Sequence, residues 1–204
     1  MNDADDTMPT RRSLLARLKN WDDRESWKTF FDTYWKLIYG VALKAGLSHT
    51  EAEEVVQETI VAVASKMREF RYDPALGSFK GWLHHLTRWR IADQWRKRRR
   101  ADPLAEASEE GDVLEQVADP ASFALDLIWE DEWRKNLMDA ALRRIRRRVN
   151  PQDYQMFDFY VVKEWPVKTV ASTLQVSVAR VYQAKSRILP VLRRELEQLQ
   201  SDML

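Results

Sequence analysis

Residues 166–192 read PVKTVASTLQVSVARVYQAKSRILPVL, and their apolar spacing decides the fold of the C-terminal third. Val167, Val170, Ala171 and Leu174 make the inner face of one short amphipathic helix, and Gln175-Val176 is a turn. Ser177 then caps a second helix, whose Val178, Val181, Lys185 stem, Ile188 and Leu192 point inward. Two helices joined this way, with the small Ala171 where they must approach closely, have the arrangement of a helix-turn-helix. Arg180, Gln183 and Arg187 share the outward face of the second helix. Arginine pairs with guanine O6 and N7, and glutamine with adenine N6 and N7, so this face has the chemistry to read a major groove. A solvated face of a packed helical hairpin is the plainer alternative, and the basic Arg193-Arg194 that follow favour DNA. Gln175 stands where a glycine is usual, and Pro190 removes an N–H inside the second helix, which predicts a kink near Ser186.

Upstream of this motif the charge is segregated. Residues 1–100 carry 19 Lys and Arg against 14 Asp and Glu, residues 101–132 carry none against 11, and residues 133–204 carry 14 against 7. The net charge of +1 therefore hides two basic bodies joined by an acidic connector, and basic bodies suit a polyanionic partner. With Pro103, Gly111 and Pro120 and no sustained period over 101–125, the connector reads as a partly disordered linker. Helix resumes with Leu137, Met138, Ala141, Leu142 and Ile145 and ends on Arg143, Arg144, Arg146, Arg147 and Arg148. Asn150-Pro151 then reads as the cap and first residue of another helix, and Trp165-Pro166 as a second such start.

The N-terminal half is helical by the same criterion. Trp27, Phe30, Phe31, Tyr34, Trp35, Ile38, Val41, Ala42 and Ala45 step by three and four, and Gly46 ends that helix. Ser48-His49-Thr50-Glu51 has the form of a capping box for a helix over 49–69. Its apolar positions are Ala52, Val55, Val56, Thr59, Ile60, Val63 and Met67, while Glu51, Glu54 and Glu58 share a different face. Tyr72-Asp73-Pro74-Ala75-Leu76-Gly77 is a turn-rich loop, and Ser78 caps a third helix to about Arg100. In that helix Trp82, Leu83, Leu86 and Trp89 share one arc while Ile91 and Trp95 lie on the other side. It is thus either sandwiched in a core or offers tryptophans to a ligand. The run Arg96-Lys97-Arg98-Arg99-Arg100 beside Tyr72, Phe79, Trp82 and Trp89 is what single-stranded nucleic acid needs, because bases stack on rings while phosphates meet the charges.

Composition removes whole classes. With no cysteine, disulfide frameworks, Cys-ligated zinc, iron–sulfur clusters and thiol nucleophiles are excluded. Five glycines and no glycine-rich phosphate loop argue against a nucleotide fold of that kind. The acidic N-terminus lacks an apolar signal region, and no apolar stretch is long enough to cross a membrane, so a cytoplasmic protein is expected.

Taken together, the chain resembles a bacterial RNA polymerase sigma factor of the extracytoplasmic-function (ECF) type in the sigma-70 family. The resemblance is carried by Glu51-Ala52-Glu53-Glu54-Val55-Val56-Gln57-Glu58-Thr59, by Gly77-Ser78-Phe79-Lys80-Gly81-Trp82-Leu83 with Asp93 and Arg96, and by the helix-turn-helix, and it spans about Leu14 to Leu196. It implies an all-α fold of two small helical domains: a region 2-like domain over 1–100, an acidic flexible linker over 101–130 and a region 4-like helix-turn-helix domain over 131–204. It also implies roles. Glu54, Gln57 and Glu58 would contact RNA polymerase core; Tyr72, Phe79, Trp82, Trp89, Arg96 and Arg99 would grip and melt the minus-ten element; Ser177, Arg180, Gln183 and Arg187 would read the minus-thirty-five element. The implied partners are the core β′ and β subunits and promoter DNA, with room for an anti-sigma factor, and no cofactor, metal or enzymatic activity is called for. Arg88-Trp89 replaces the family's usual R-N pair, and Gln175 and Tyr182 also depart from its commonest residues, so base preferences do not transfer.

Two rivals compete with this reading. His49, Glu51, Glu54 and Glu58 on one helix, with His84-His85 on another, admit a metal-dependent nuclease, although adjacent histidines diverge by about 100° on a helix. A helix-turn-helix repressor or activator would bind duplex DNA alone as a dimer, but it leaves the 51–58 helix and the tryptophan-rich helix without a job.

Overall fold

The computed structural model describes residues 11–67, 78–101 and 120–201. All regular structure among these residues is helical: α1 (Arg11–Arg17), α2 (Arg24–Lys44), α3 (His49–Met67), α4 (Phe79–Ala101), α5 (Pro120–Arg148), α6 (Pro151–Phe157), a π-helical turn (Asp158–Val162), α7 (Val167–Thr173) and α8 (Val178–Ser201). The chain divides into two compact units, and the all-α, two-body architecture expected from the sequence is what is observed. The N-terminal unit takes α1 to α4 and α5 as far as Asn136, and the C-terminal unit runs from Leu137 to Ser201.

In the N-terminal unit each helix start and stop has a side-chain cause. Asp23 caps α2, its carboxylate accepting from the Ser26 N–H at 3.1 Å and the Ser26 hydroxyl at 2.8 Å. Gly46, at φ +83°, ends α2 in a left-handed residue that glycine adopts without strain. The Leu47 N–H then reaches back to the Ala42 carbonyl at 3.2 Å and the Gly46 N–H to Leu43 at 3.0 Å, a Schellman closure. The capping box opens α3 as expected: the Ser48 N–H donates to Glu51 at 2.7 Å and the Glu51 N–H to the Ser48 hydroxyl at 3.4 Å. The core gathers Phe30, Tyr34, Leu37, Ile38 and Val41 of α2, Val55, Thr59 and Val63 of α3, and Phe79, Leu83 and Ile91 of α4.

Helix is present earlier than the sequence reading placed it. Helix begins at Pro120, the first-turn position where its missing N–H costs nothing, and Leu125, Trp129 and Trp133 are buried within the N-terminal unit. The Trp129 ring stacks on His84 at 4.8 Å and on Trp133 at 5.8 Å, and Trp133 stacks on Tyr34 at 6.2 Å. Carboxylates of α5 have local cationic partners: Asp131 and Glu132 each lie 2.7 Å from the Lys44 ammonium, and Glu130 lies 2.6 Å from Lys80. A Cβ at Gly40 would fall 2.6 Å from Oε2 of Glu132, so a larger residue there would have to displace that carboxylate. Burial depresses the tendency of His84 to protonate, outweighing the nearby Asp126 carboxylate.

The C-terminal unit is built on Met156, Val170, Ala171, Val181 and Ala184, with Phe159, Tyr160, Val167 and Leu174 packed around them. Asn150 caps α6, accepting from the Gln152 and Asp153 N–H groups at 2.9 and 3.3 Å, and Pro151 follows at the first helical position. The turn between α7 and α8 places Gln175 at φ +54°, the conformation that makes glycine usual there. Helix α8 runs through Pro190 without ending. Glu195, only 4% exposed, accepts from Arg144 at 2.7 Å and Arg148 at 2.9 Å, so two arginines of the basic run in α5 have a buried carboxylate partner.

Candidate nucleic-acid interface

The N-terminal unit presents two surfaces of interest. Along α3, the acidic residues form a seam with the basic end of α4 instead of a freely solvated face. Glu51 is held by Arg98, whose guanidinium also donates to the Gly46 carbonyl at 3.0 Å. Glu54 accepts from Gln94 at 3.0 Å and lies 3.7 Å from Lys97; Glu58 lies 3.3 Å from Lys97 and 3.6 Å from Arg90. The Arg98 and Ser48 hydrogen bonds pull the Glu51 carboxyl down to about 2. Gln57 is exposed, and its side chain makes no hydrogen bond to another described residue. The face around Glu54, Gln57 and Glu58 is therefore polar and half-committed, with Gln57 as its open member. The rival metal centre is not assembled: His49 Nδ1 sits 2.6 Å from the Tyr39 hydroxyl, and no cluster of metal-ligating side chains occurs among the described residues.

The second surface is a stripe on α4. The buried arc of this helix centres on Phe79, Leu83, Thr87, Ile91 and Gln94, about 100° away from the tryptophan arc that the sequence suggested. That displacement corrects one expected site residue. Phe79 is 2% exposed and packs against Tyr34 at 5.5 Å and Phe30 at 6.2 Å, so it is a core residue and not a contact for DNA. The same rotation puts Trp82, Trp89 and Arg96, each two turns after the last, along one outer line, with rises of about 10 Å between them. Trp82 is half-buried, touching Phe79 at 5.6 Å. Trp89 is 50% exposed, with the Arg90 guanidinium 4.7 Å from its ring centre. Arg96 is exposed and steadied by Asp93 at 2.8 Å, and Arg99 lies exposed one turn beyond. Two rings followed by guanidinium groups on one stripe offer stacking and phosphate pairing in sequence. Tyr72, the remaining member of the expected set, lies outside the described residues.

In the C-terminal unit, Ser177 is occupied as the cap of α8, accepting from the Arg180 N–H at 3.2 Å. Gln183 is exposed. Arg180 and Arg187 flank it on the same stripe, and both are tied to a residue that the sequence reading missed, Asp153 of α6: Arg180 at 2.7 Å and Arg187 at 3.2 Å. In the sequence Asp153 is indistinguishable from an ordinary acidic residue in a first helical turn. Only the packing of α6 on α8 reveals its second role.

Comparison with known proteins bears on these surfaces. Residues 30–101, which hold α2 from Phe30 together with α3 and α4, match the family model for sigma-70 region 2. No curated protein matches the chain. Among solved structures, that of CnrH in complex with the cytosolic domain of CnrY is 18% identical over 94% of this chain and 97% of that one, with a TM-score of 0.38. The matched stretch contains the acidic seam and the Trp82–Trp89–Arg96 stripe alike. Residues 30–101 are thus similar to sigma-70 region 2, and that stretch holds both surfaces of the N-terminal unit.

Proposed function

We propose that the chain is an ECF-type sigma factor that docks on RNA polymerase core through α3, opens the minus-ten element along α4 and reads the minus-thirty-five element with α8. The observation that carries this reading is the outer stripe of Trp82, Trp89 and Arg96 inside the stretch that matches region 2. A half-exposed ring on the same line as guanidinium groups, inside the stretch that matches region 2, suits a base that stacks on it while its phosphate meets the charge. Strand opening then needs no covalent chemistry from the protein. A surface that holds the open strand better than the duplex shifts the melting equilibrium by the difference between the two affinities.

Docking on core falls to Glu54, Gln57 and Glu58, with the β′ and β subunits as the partners. Gln57 is the most available of the three, and the carboxylates must exchange part of their pairing with Lys97 and Arg90 to engage a partner. The duplex-reading role falls to Arg180, Gln183 and Arg187. Among the described residues no helix is long and apolar enough to cross a membrane.

The test is a double substitution, Gln57→Ala with Glu58→Ala, assayed by co-elution with sigma-free bacterial core polymerase on a sizing column. Loss of co-elution with an unchanged helical circular dichroism spectrum supports the docking face. Co-elution and transcription equal to wild type would reject it. If instead the chain binds duplex DNA specifically without polymerase, the dimeric regulator replaces the sigma factor reading.

A further inference from the structure

Asp153 is 6% exposed and sits in the first turn of α6, where Asn150 holds its backbone N–H. Its two carboxylate oxygens are divided between two arginines of the neighbouring helix: Oδ1 accepts from Arg180 Nη2 at 2.7 Å and Oδ2 from Arg187 Nη1 at 3.2 Å. These arginines stand seven residues apart, with Gln183 between them on the outward stripe. The side chains of Arg180 and Arg187 nevertheless remain 35% and 61% exposed. Each guanidinium has five N–H groups in a planar fork, so one bond to Asp153 leaves a free edge for a base or a phosphate.

We infer that Asp153 is a positioning residue for sequence readout, a buried carboxylate that sets the two arginine forks on either side of Gln183 before DNA arrives. The inference rests on the proposed reading of α8 as the duplex-reading helix. An exposed arginine must lose rotamer freedom to make a bidentate contact, and that loss weakens binding by about two- to ten-fold for each ordered side chain. A carboxylate on an independent, anchored helix removes the loss in advance, since Met156 and Phe157 fix α6 in the core one turn further on. The same negative charge lowers attraction to phosphates irrespective of sequence. Asp153 thus acts on specific and non-specific binding in opposite directions. A residue that merely stabilises the fold would move both together.

The probe is a random-sequence duplex DNA library, selected by the full chain assembled with bacterial core polymerase and repeated with Asp153→Ala, Asp153→Asn, Arg180→Ala and Arg187→Ala. Asp153→Asn keeps a neutral acceptor of nearly the same shape and serves if the alanine variant folds poorly. The expected result is that both Asp153 variants flatten the enriched sequence at the base pairs that Arg180→Ala and Arg187→Ala flatten. Their ratio of specific to non-specific affinity should fall about ten-fold, with the asparagine variant less affected. The salt dependence of non-specific binding should hold or steepen, by about 0.9 in slope for each arginine released to a phosphate. If the arginine variants change the enriched sequence and the Asp153 variants do not, the arginines read DNA unaided and the inference is overturned. If the wild type enriches a sequence that neither arginine affects, the reading face is wrong and the inference falls with it. If the wild-type holoenzyme enriches no sequence, the proposed function itself fails.

Discussion

Phe79 and Trp89 lie ten residues apart on α4, one buried in the core and the other half exposed. Replacing each by alanine separates packing from binding. Phe79 is 2% exposed and meets rings of Phe30, Tyr34 and Trp82 within about 6 Å. Deleting a buried phenylalanine leaves a cavity as well as losing transfer energy, and costs about 3–5 kcal/mol. In a unit of this size that is a fall in melting temperature of about 10 °C or more. Trp89, half exposed, gives up chiefly its contact with Arg90, which at an exposed site is worth about 0.5–1 kcal/mol. Its melting temperature should drop by only a few degrees. In binding the order reverses, because loss of a stacking ring costs about 1–3 kcal/mol per base. The assay pairs thermal melting by circular dichroism with anisotropy of a labelled single-stranded oligonucleotide, the non-template strand of a promoter the wild type transcribes, bound to holoenzyme. Trp89→Ala should weaken that binding about five-fold or more at near-native stability. A Trp89→Ala protein that melts as low as Phe79→Ala and binds the strand normally would refute the assignment.

Three further outcomes are expected. Gln175→Gly relieves a side-chain residue held at φ +54° and should raise stability by about 0.5–1 kcal/mol in urea titration, an unchanged or lower midpoint counting against the strain argument. Glu51 titrates at about 2 in the fold against 4.5 ordinarily, so the stability it supplies is complete above about 4.5 and is lost as pH falls toward 2. Glu51→Gln should therefore flatten that part of the acid-unfolding curve, and an acid dependence identical to wild type would show that the Arg98 and Ser48 bonds do not set it. Asn150→Ala removes two capping hydrogen bonds and should cost about 1 kcal/mol, read as a lower urea midpoint, with no change implying that the cap is dispensable.

Much of this fold was legible in the sequence because its signals are local. Gly46, the Ser48–Glu51 box and Asn150-Pro151 each fix a helix end through a bond to a residue within a turn, so spacing alone suffices to find them. The stretch from Pro120 was hidden by its charge. Leu125, Trp129 and Trp133 do recur at helical spacing, but the carboxylates around them read as a linker until Lys44 and Lys80 are seen to pair with them. The orientation of α4 failed for another reason. Its apolar residues surround the helix, so the buried side is chosen by what α2 and α3 offer, and Phe79 went inward to Phe30 and Tyr34 while Trp89 stayed out. Long-range partners such as Asp153 with Arg180, or Glu195 with Arg144, have no sequence signal at all.

The most direct test of the central claim is run-off transcription with the purified chain and sigma-free bacterial core polymerase on a library of genomic promoter fragments. The account predicts discrete transcripts that require this chain and that weaken with Trp89→Ala and with Gln57→Ala/Glu58→Ala. An absence of chain-dependent transcripts, together with no co-elution with core polymerase, would contradict it.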